Sequence, residues 1–312
     1  DRAGRPLVFW HISKCGGTSM CLMALKNGEA VKTDENDPKF LDGRCGYGYL
    51  EAEEYTGTGK PGGCHRGCHP PDGYATTKIN YGDRAELGRA FEVAFAEERL
   101  TFVGPEMRLT PAFSEEHLEE VFSFTALREP RARWESHYHQ GVRDNHDLGR
   151  MVGLGGMPAF RACYKKASKP RECNHLVTLA DFLRWMKDGG GTGGGFNDNY
   201  MARYLLGLNE KRFHGVRRPL DAADLAAAKA VLRDKMNFVL ITERLGEAGC
   251  LLERLGWPPA AERDNVQGND GKDDLAADPE VEALLDELST VDEELYAYAV
   301  ELFEEQLGAC AG

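Results

Sequence analysis

Lys14, Thr18 and Ser19 surround the pair Gly16-Gly17 at the end of an apolar run. The run is Leu7-Val8-Phe9-Trp10-His11-Ile12-Ser13, and the helix-like Met20-Cys21-Leu22-Met23-Ala24-Leu25 follows directly. An ammonium group supplies a point charge with three donors, and the hydroxyls supply two more. Glycines at a strand-to-helix turn let the backbone approach a ligand closely. The helix start then aims N–H groups and the positive end of its dipole at an anion. These are the parts of a phosphate cradle, with Lys14, Cys15, Gly16, Gly17, Thr18 and Ser19 as its candidate contacts. The plainer account of such a glycine pair is a tight turn and nothing more.

The ATP-type loop G-x-x-x-x-G-K-[ST] carries its lysine after the last glycine. Here Lys14 precedes both glycines, and Met20 follows Ser19. The later run Val121-Phe122-Ser123-Phe124-Thr125-Ala126-Leu127 ends in Arg128, where an NTPase strand would supply an aspartate for magnesium. A second motif begins there, Leu127-Arg128-Glu129-Pro130-Arg131-Ala132-Arg133-Trp134-Glu135-Ser136-His137-Tyr138. It reads as a buried strand with arginine at its end, then a helix opened by proline. Arg128 and Ser136 stand eight positions apart, a spacing that a strand end and two helical turns can close onto one anion.

Taken together, the two motifs resemble the sulfotransferase superfamily that uses 3′-phosphoadenosine-5′-phosphosulfate (PAPS). Within it they resemble the membrane-anchored Golgi carbohydrate sulfotransferases of the heparan sulfate 2-O group. The first loop of that group reads much like H-I-x-K-x-G-G-T-S, and the second much like L-R-[DE]-P-x-x-R-x-x-S-x-Y. Asp198-Asn199-Tyr200-Met201-Ala202-Arg203-Tyr204-Leu205-Leu206-Gly207 is similar to the family's D-N-x-x-[TA]-R-x-L-x-G helix. Phe238-Val239-Leu240-Ile241-Thr242-Glu243-Arg244, with Leu251-Leu252-Glu253-Arg254-Leu255-Gly256-Trp257, is similar to its closing strand and helix. The matching blocks lie between Leu7 and Trp257 and cover about half of the chain.

The resemblance implies an in-line transfer of a sulfuryl group from PAPS to an acceptor hydroxyl, with 3′-phosphoadenosine-5′-phosphate (PAP) as product and no metal required. Lys14 through Ser19 would then hold the 5′-phosphosulfate, with Lys14 on the bridging oxygen, and Arg128 and Ser136 would hold the 3′-phosphate. Asn199 and Arg203 stand at family-motif positions that either face the acceptor or brace the site. The chemistry also needs a group to accept the acceptor's proton, which typically contributes ~10²–10⁴-fold. Glu106 is the candidate, just past the expected strand Leu100-Thr101-Phe102-Val103-Gly104. Open α/β sheets place ligands at that end of their strands. The 2-O group carries histidine at the similar place, so the acceptor is less constrained than the reaction. The plain reading of Glu106 is an exposed partner of Arg108; His69 and His117 are weaker candidates, and His11 reads as a structural histidine beside the loop. A carbohydrate is the family-level acceptor. A kinase-like P-loop enzyme, and a non-catalytic protein that kept the fold, are the alternative classes.

Elements alternate along the chain, which predicts an α/β fold with a P-loop-like parallel sheet flanked by helices. Strands are expected at 7–12, 100–104, 121–127 and 237–242. Helices are expected at 17–27, 130–140, 178–188, 197–207, 220–236, 244–255 and 280–306, with Asp221 as an N-cap. One domain over 1–312 is expected, with an insertion at 28–73 and an acidic helical region at 262–312. Gly189 to Gly195 reads as a linker.

The net charge is −13, and it is unevenly placed. From Glu262 to Glu305 sixteen acidic residues face only Arg263 and Lys272, which leaves the rest of the chain near neutrality. A body with no broad basic face argues against nucleic acid as a partner. The acidic tail is expected as a solvated helix with Val281, Leu284, Leu285, Leu288, Leu295 and Phe303 at helical spacing. Among nine cysteines, Cys163–Cys173 is the expected disulfide, and Cys15 and Cys21 are expected to be free. Cys64 and Cys68 have three residues between them, unlike a haem motif, and with Cys45 do not form a diagnostic zinc pattern. Disulfides imply an oxidising lumen. The family resemblance implies a Golgi enzyme whose N-terminal membrane anchor lies outside this sequence.

Overall fold

The computed structural model describes residues 2, 4–31, 95–96, 99–104, 119–144, 160, 162–163, 165–166, 173, 176–188, 198–208, 218–258 and 278–310. Four strands, β1 (Leu7–Trp10), β2 (Phe102–Val103), β3 (Phe122–Leu127) and β4 (Phe238–Ile241), form one all-parallel sheet in the order β2-β1-β3-β4. Every residue in them is buried, as strands covered by helices on both faces require. The buried hydroxyls of β3 have partners: Ser123 donates to Lys235 O at 2.7 Å and Thr125 to Trp10 O at 2.7 Å. Phe9, Phe124 and Phe238 stack across neighbouring strands at centroid distances of 5.2 and 4.9 Å.

The register decides where the site can form. Trp10, the last residue of β1, lies beside Thr125, so β3 runs two residues further, and its end is level with Ile241 of β4. Among the described strands, β1 is followed in sequence by β2 on one side and then by β3 on the other. The crevice above β1 and β3 is thus a topological switch point.

Among the described residues the helices are α1 (Gly17–Lys26), α2 (Pro130–Asp144), α3 (Leu179–Lys187), α4 (Tyr200–Leu205), α5 (Ala222–Asp234), α6 (Gly249–Glu253) and α7 (Pro279–Cys310). Asp221 caps α5 as expected: its carboxylate accepts from Ala223 N–H and Asp224 N–H at 2.9 and 3.0 Å, and Asp224 returns the bond to Asp221 N–H. Thr178 and Asp181 form the same reciprocal box at α3. The expected helix at 244–255 is instead a 3₁₀ segment, Thr242–Glu247, followed by the short α6.

The helix expected at 280–306 is present as α7. Rather than a solvated helix, α7 is shared by two cores. Leu295, Ala299, Leu302 and Phe303 join the cluster beneath the sheet. Val281, Leu284, Leu285 and Leu288 join a second cluster with Trp134, Phe182 and Trp185. The Gln306 side chain accepts from Val239 N–H at 3.1 Å, closing an open amide of edge strand β4.

Cys163–Cys173 forms the expected disulfide, with a Cα–Cα distance of 5.8 Å. Cys250–Cys310, at 6.0 Å, ties the end of α7 to α6. Cys21 is also disulfide-bonded, which corrects the expectation that it is free, whereas Cys15 is a free, buried thiol. Such bonds belong to an oxidising, secretory-type environment. Among the described residues no helix is long and apolar enough to cross a membrane.

Candidate functional site

At the end of β1 the chain turns through Lys14 (φ 71°) and Gly16 (φ 85°), both in the left-handed region, before entering α1. The Cys15 N–H donates to Ile12 O at 3.0 Å and closes the turn. Beyond it, the N–H groups of Gly16, Gly17, Thr18 and Ser19 find no acceptor among the described residues, and α1 has no side-chain cap. Four successive open donors at a helix start make a candidate anion nest. The hydroxyls of Thr18 and Ser19 are half-buried and also lack partners among the described residues.

His11 sets the shape of this nest. Its ring is buried, stacks on Phe9 at 5.7 Å, and occupies the space that a side chain on Gly17 would need. Gly17 is therefore required by close approach, and Gly16 by its backbone angle. A methyl group on Gly16 would lie 3.6 Å from Thr242 Oγ1, and Thr242 itself donates to Leu127 O at 3.0 Å. The ends of β1, β3 and β4 thus meet at the loop.

Arg128 stands just beyond β3, and the two-residue overhang of that strand carries it alongside the loop. Its Nη1 donates to Lys14 O at 3.2 Å. Its Nε lies 3.6 Å from the carboxylate of Glu243, the second residue after β4. Glu243 also accepts from Glu129 N–H at 3.3 Å and from Tyr296 Oη on α7 at 3.2 Å. Burial and the neighbouring Glu243 push the Tyr296 phenol well above its ordinary value, so it remains a donor. Ser136 lies two turns into α2, half-buried, and its hydroxyl has no hydrogen-bond partner among the described residues.

Cys15 is the one member of the expected cradle turned fully inward. Its N–H closes the turn, and burial pushes its thiol up to about 12 despite the pull of Arg133 and Arg128. It is a neutral packing group. Behind the loop, Arg133 is wholly buried between the rings of Trp134 and Tyr200, at 4.5 and 4.8 Å. None of its side-chain nitrogens makes a hydrogen bond among the described residues. Burial lowers its affinity for its proton, while the nearby Asp292 works the other way.

Asn199 and Arg203, for which the sequence leaves two roles open, are both buried and hydrogen-bonded within the protein. Asn199 adopts φ 48°; its N–H donates to Leu288 O at 2.6 Å, and its Oδ1 accepts from Val291 N–H and Asp292 N–H at 2.7 and 3.2 Å. Asp292 answers by accepting from Met201 N–H and Ala202 N–H at 3.0 and 2.8 Å, capping α4 from another helix. Arg203 donates to Asp198 and to Arg218 O. Glu106, Arg108, His69, His117, Cys45, Cys64 and Cys68 lie outside the described residues. Sequence reasoning missed Glu243, Arg133 and Asp292. Only Glu243 carried a signal, its position at a strand's C-terminal end.

Compared with known proteins, the chain matches no family model and no curated protein sequence.

Proposed function

We propose that this protein is a PAPS-dependent O-sulfotransferase built on a single P-loop-like α/β domain. It transfers a sulfuryl group to an acceptor hydroxyl, with a carbohydrate as the acceptor class and the Golgi lumen as the compartment. The observation that carries this reading is the convergence of the unbonded N–H groups of Gly16 to Ser19 with Arg128, whose guanidinium is bonded to the Lys14 carbonyl. A polyanion with phosphates at two ends fits that donor set. Consecutive amides, two hydroxyls and the Arg128 guanidinium stand at this loop, which also carries Lys14, and the carboxylate of Glu243 sits on the Nε side of Arg128.

The donor supplies an activated sulfuryl group whose leaving partner is a phosphate. The chain's residues then have separable tasks. The amides of Gly16 to Ser19 bind the 5′-phosphate and fix the line of displacement. The Lys14 ammonium neutralises charge that grows on the bridging oxygen, a contribution made mainly in the transition state. Arg128 and Ser136 hold the 3′-phosphate and set the register of the nucleotide. Glu106 takes the acceptor's proton.

Transfer of labelled sulfate from PAPS to a panel of neutral and lightly charged glycans tests the proposal. Label is expected on at least one glycan, and none with Lys14→Ala. A folded protein that labels no acceptor and releases no PAP contradicts it.

A further inference from the structure

We infer that Glu243 is a positioning residue for Arg128, one that leaves a single edge of the guanidinium fork facing the ligand. The inference rests on the sulfotransferase reading for the ligand, a terminal phosphate, but its geometry stands alone. The Glu243 carboxylate is held from three directions. It follows β4, accepts from the Glu129 amide at the start of the β3–α2 turn, and accepts from Tyr296 of α7. A carboxylate fixed in this way gives Arg128 a fixed counter-charge at Nε, 3.6 Å away. Nη1 is separately committed to Lys14 O. The Nε–H faces this counter-charge without a hydrogen bond among the described residues, and both hydrogens of Nη2 and the second hydrogen of Nη1 remain as donors. With Glu243 on the Nε side, the Nη1–Nη2 end of the planar fork is the end left for two parallel N–H bonds to two oxygens of a phosphate.

Stability does not explain the pair. Both side chains are about one-third exposed, and exposed pairs contribute little to folding. A negative charge beside an anion site also works against the anion. Its presence is accounted for if an unrestrained Arg128 would lose more in orientation than the carboxylate costs in repulsion.

The test compares wild type, Glu243→Gln and Glu243→Ala in two measurements. First, the ¹⁵N spectrum of the ligand-free protein reports solvent exchange of the Arg128 Nε–H. Exchange is expected to quicken about tenfold or more in Glu243→Ala; an unchanged rate overturns the inference whatever the ligand proves to be. Second, PAP and 5′-AMP are titrated. Glu243→Ala is expected to weaken PAP about tenfold while 5′-AMP changes less than twofold, with Glu243→Gln between. The glutamine can keep the bond from Glu129 N–H through its carbonyl oxygen and donate to Tyr296 Oη through its amide nitrogen, reversing that bond, but it loses the charge. Tighter PAP binding in Glu243→Ala, or equal loss of both nucleotides with a lowered melting temperature, also overturns the inference. If wild type fails to prefer PAP over 5′-AMP, the sulfotransferase reading fails; quickened exchange in Glu243→Ala then still supports the positioning of Arg128.

Discussion

The Arg128 guanidinium donates to the backbone carbonyl of Lys14 at 3.2 Å, so the second motif of the chain is bonded to the first. Two segments more than a hundred residues apart in sequence are brought together by that contact and the two-residue overhang of β3. Hydrogen bonds to charged groups contribute about 1.5–3 kcal/mol, or roughly 10–150-fold in affinity. Arg128→Ala is therefore expected to weaken PAP binding by that factor in calorimetry, with a smaller effect on kcat. Lys14→Ala is expected to abolish turnover with less loss of binding. Arg128→Lys should not restore affinity, because an ammonium cannot serve the carbonyl and a phosphate as a fork does.

Gly17→Ala is expected to destabilise the protein, because its new methyl group occupies the place of the His11 ring. Overpacking of this kind costs about 1–3 kcal/mol. The check is a double-mutant comparison by urea unfolding. His11→Ala makes room, so the added cost of Gly17→Ala should largely vanish in that background. An equal cost in both backgrounds contradicts the packing account.

The braces around α4 give a pH dependence of unusual sign. Burial raises Asp292 from the ordinary carboxylate range to about 6, against the opposing pull of Arg133 and the amides of Ala202 and Met201; Asp198 adds to the rise. The folded state then holds this proton more tightly than the unfolded chain. Stability from this group is full below about pH 4, falls as pH rises toward about 6, and is level above that. A rise from about 4 to about 6 corresponds to roughly 3 kcal/mol. Glu29 works in the opposite sense. Burial would raise it, but donors from Arg2, Thr101 and Trp257 outweigh burial and hold it below the usual range. The difference between wild type and Asp292→Asn isolates the one group. That difference should change steadily between pH 4 and 6 in thermal unfolding, and parallel curves contradict the assignment.

Cys250–Cys310 fastens the end of α7, which covers β4 and carries Asp292 and Tyr296. Replacing both cysteines with serine is expected to lower unfolding free energy by about 2–4 kcal/mol. Hydrogen exchange should quicken first in the last turns of α7. Exchange that stays uniform along the helix contradicts a fastening role.

The strands of the sheet were legible because each is a short apolar run bounded by polar or glycine residues. The cap Asp221 was legible because it bonds only to its own helix. The candidate anion loop was legible for the same reason: glycines, lysine and hydroxyls act where they stand in sequence. What could not be read depends on distant partners. The apolar stripe of α7 was visible, but not that Leu288 and Phe303 serve two different cores. Asn199 stood out by resemblance, yet only the fold brings it to Leu288 and Asp292. Arg133 and Glu243 look like ordinary surface charges in sequence; tertiary contacts bury the first and hold the second against Arg128.

Calorimetric titration with 3′-phosphoadenosine-5′-phosphate, with ADP as control and EDTA present throughout, tests the central claim most directly. Tight, metal-independent binding that requires the 3′-phosphate and is lost in Arg128→Ala is the predicted result. Absent binding, or equal binding of ADP, contradicts the sulfotransferase assignment.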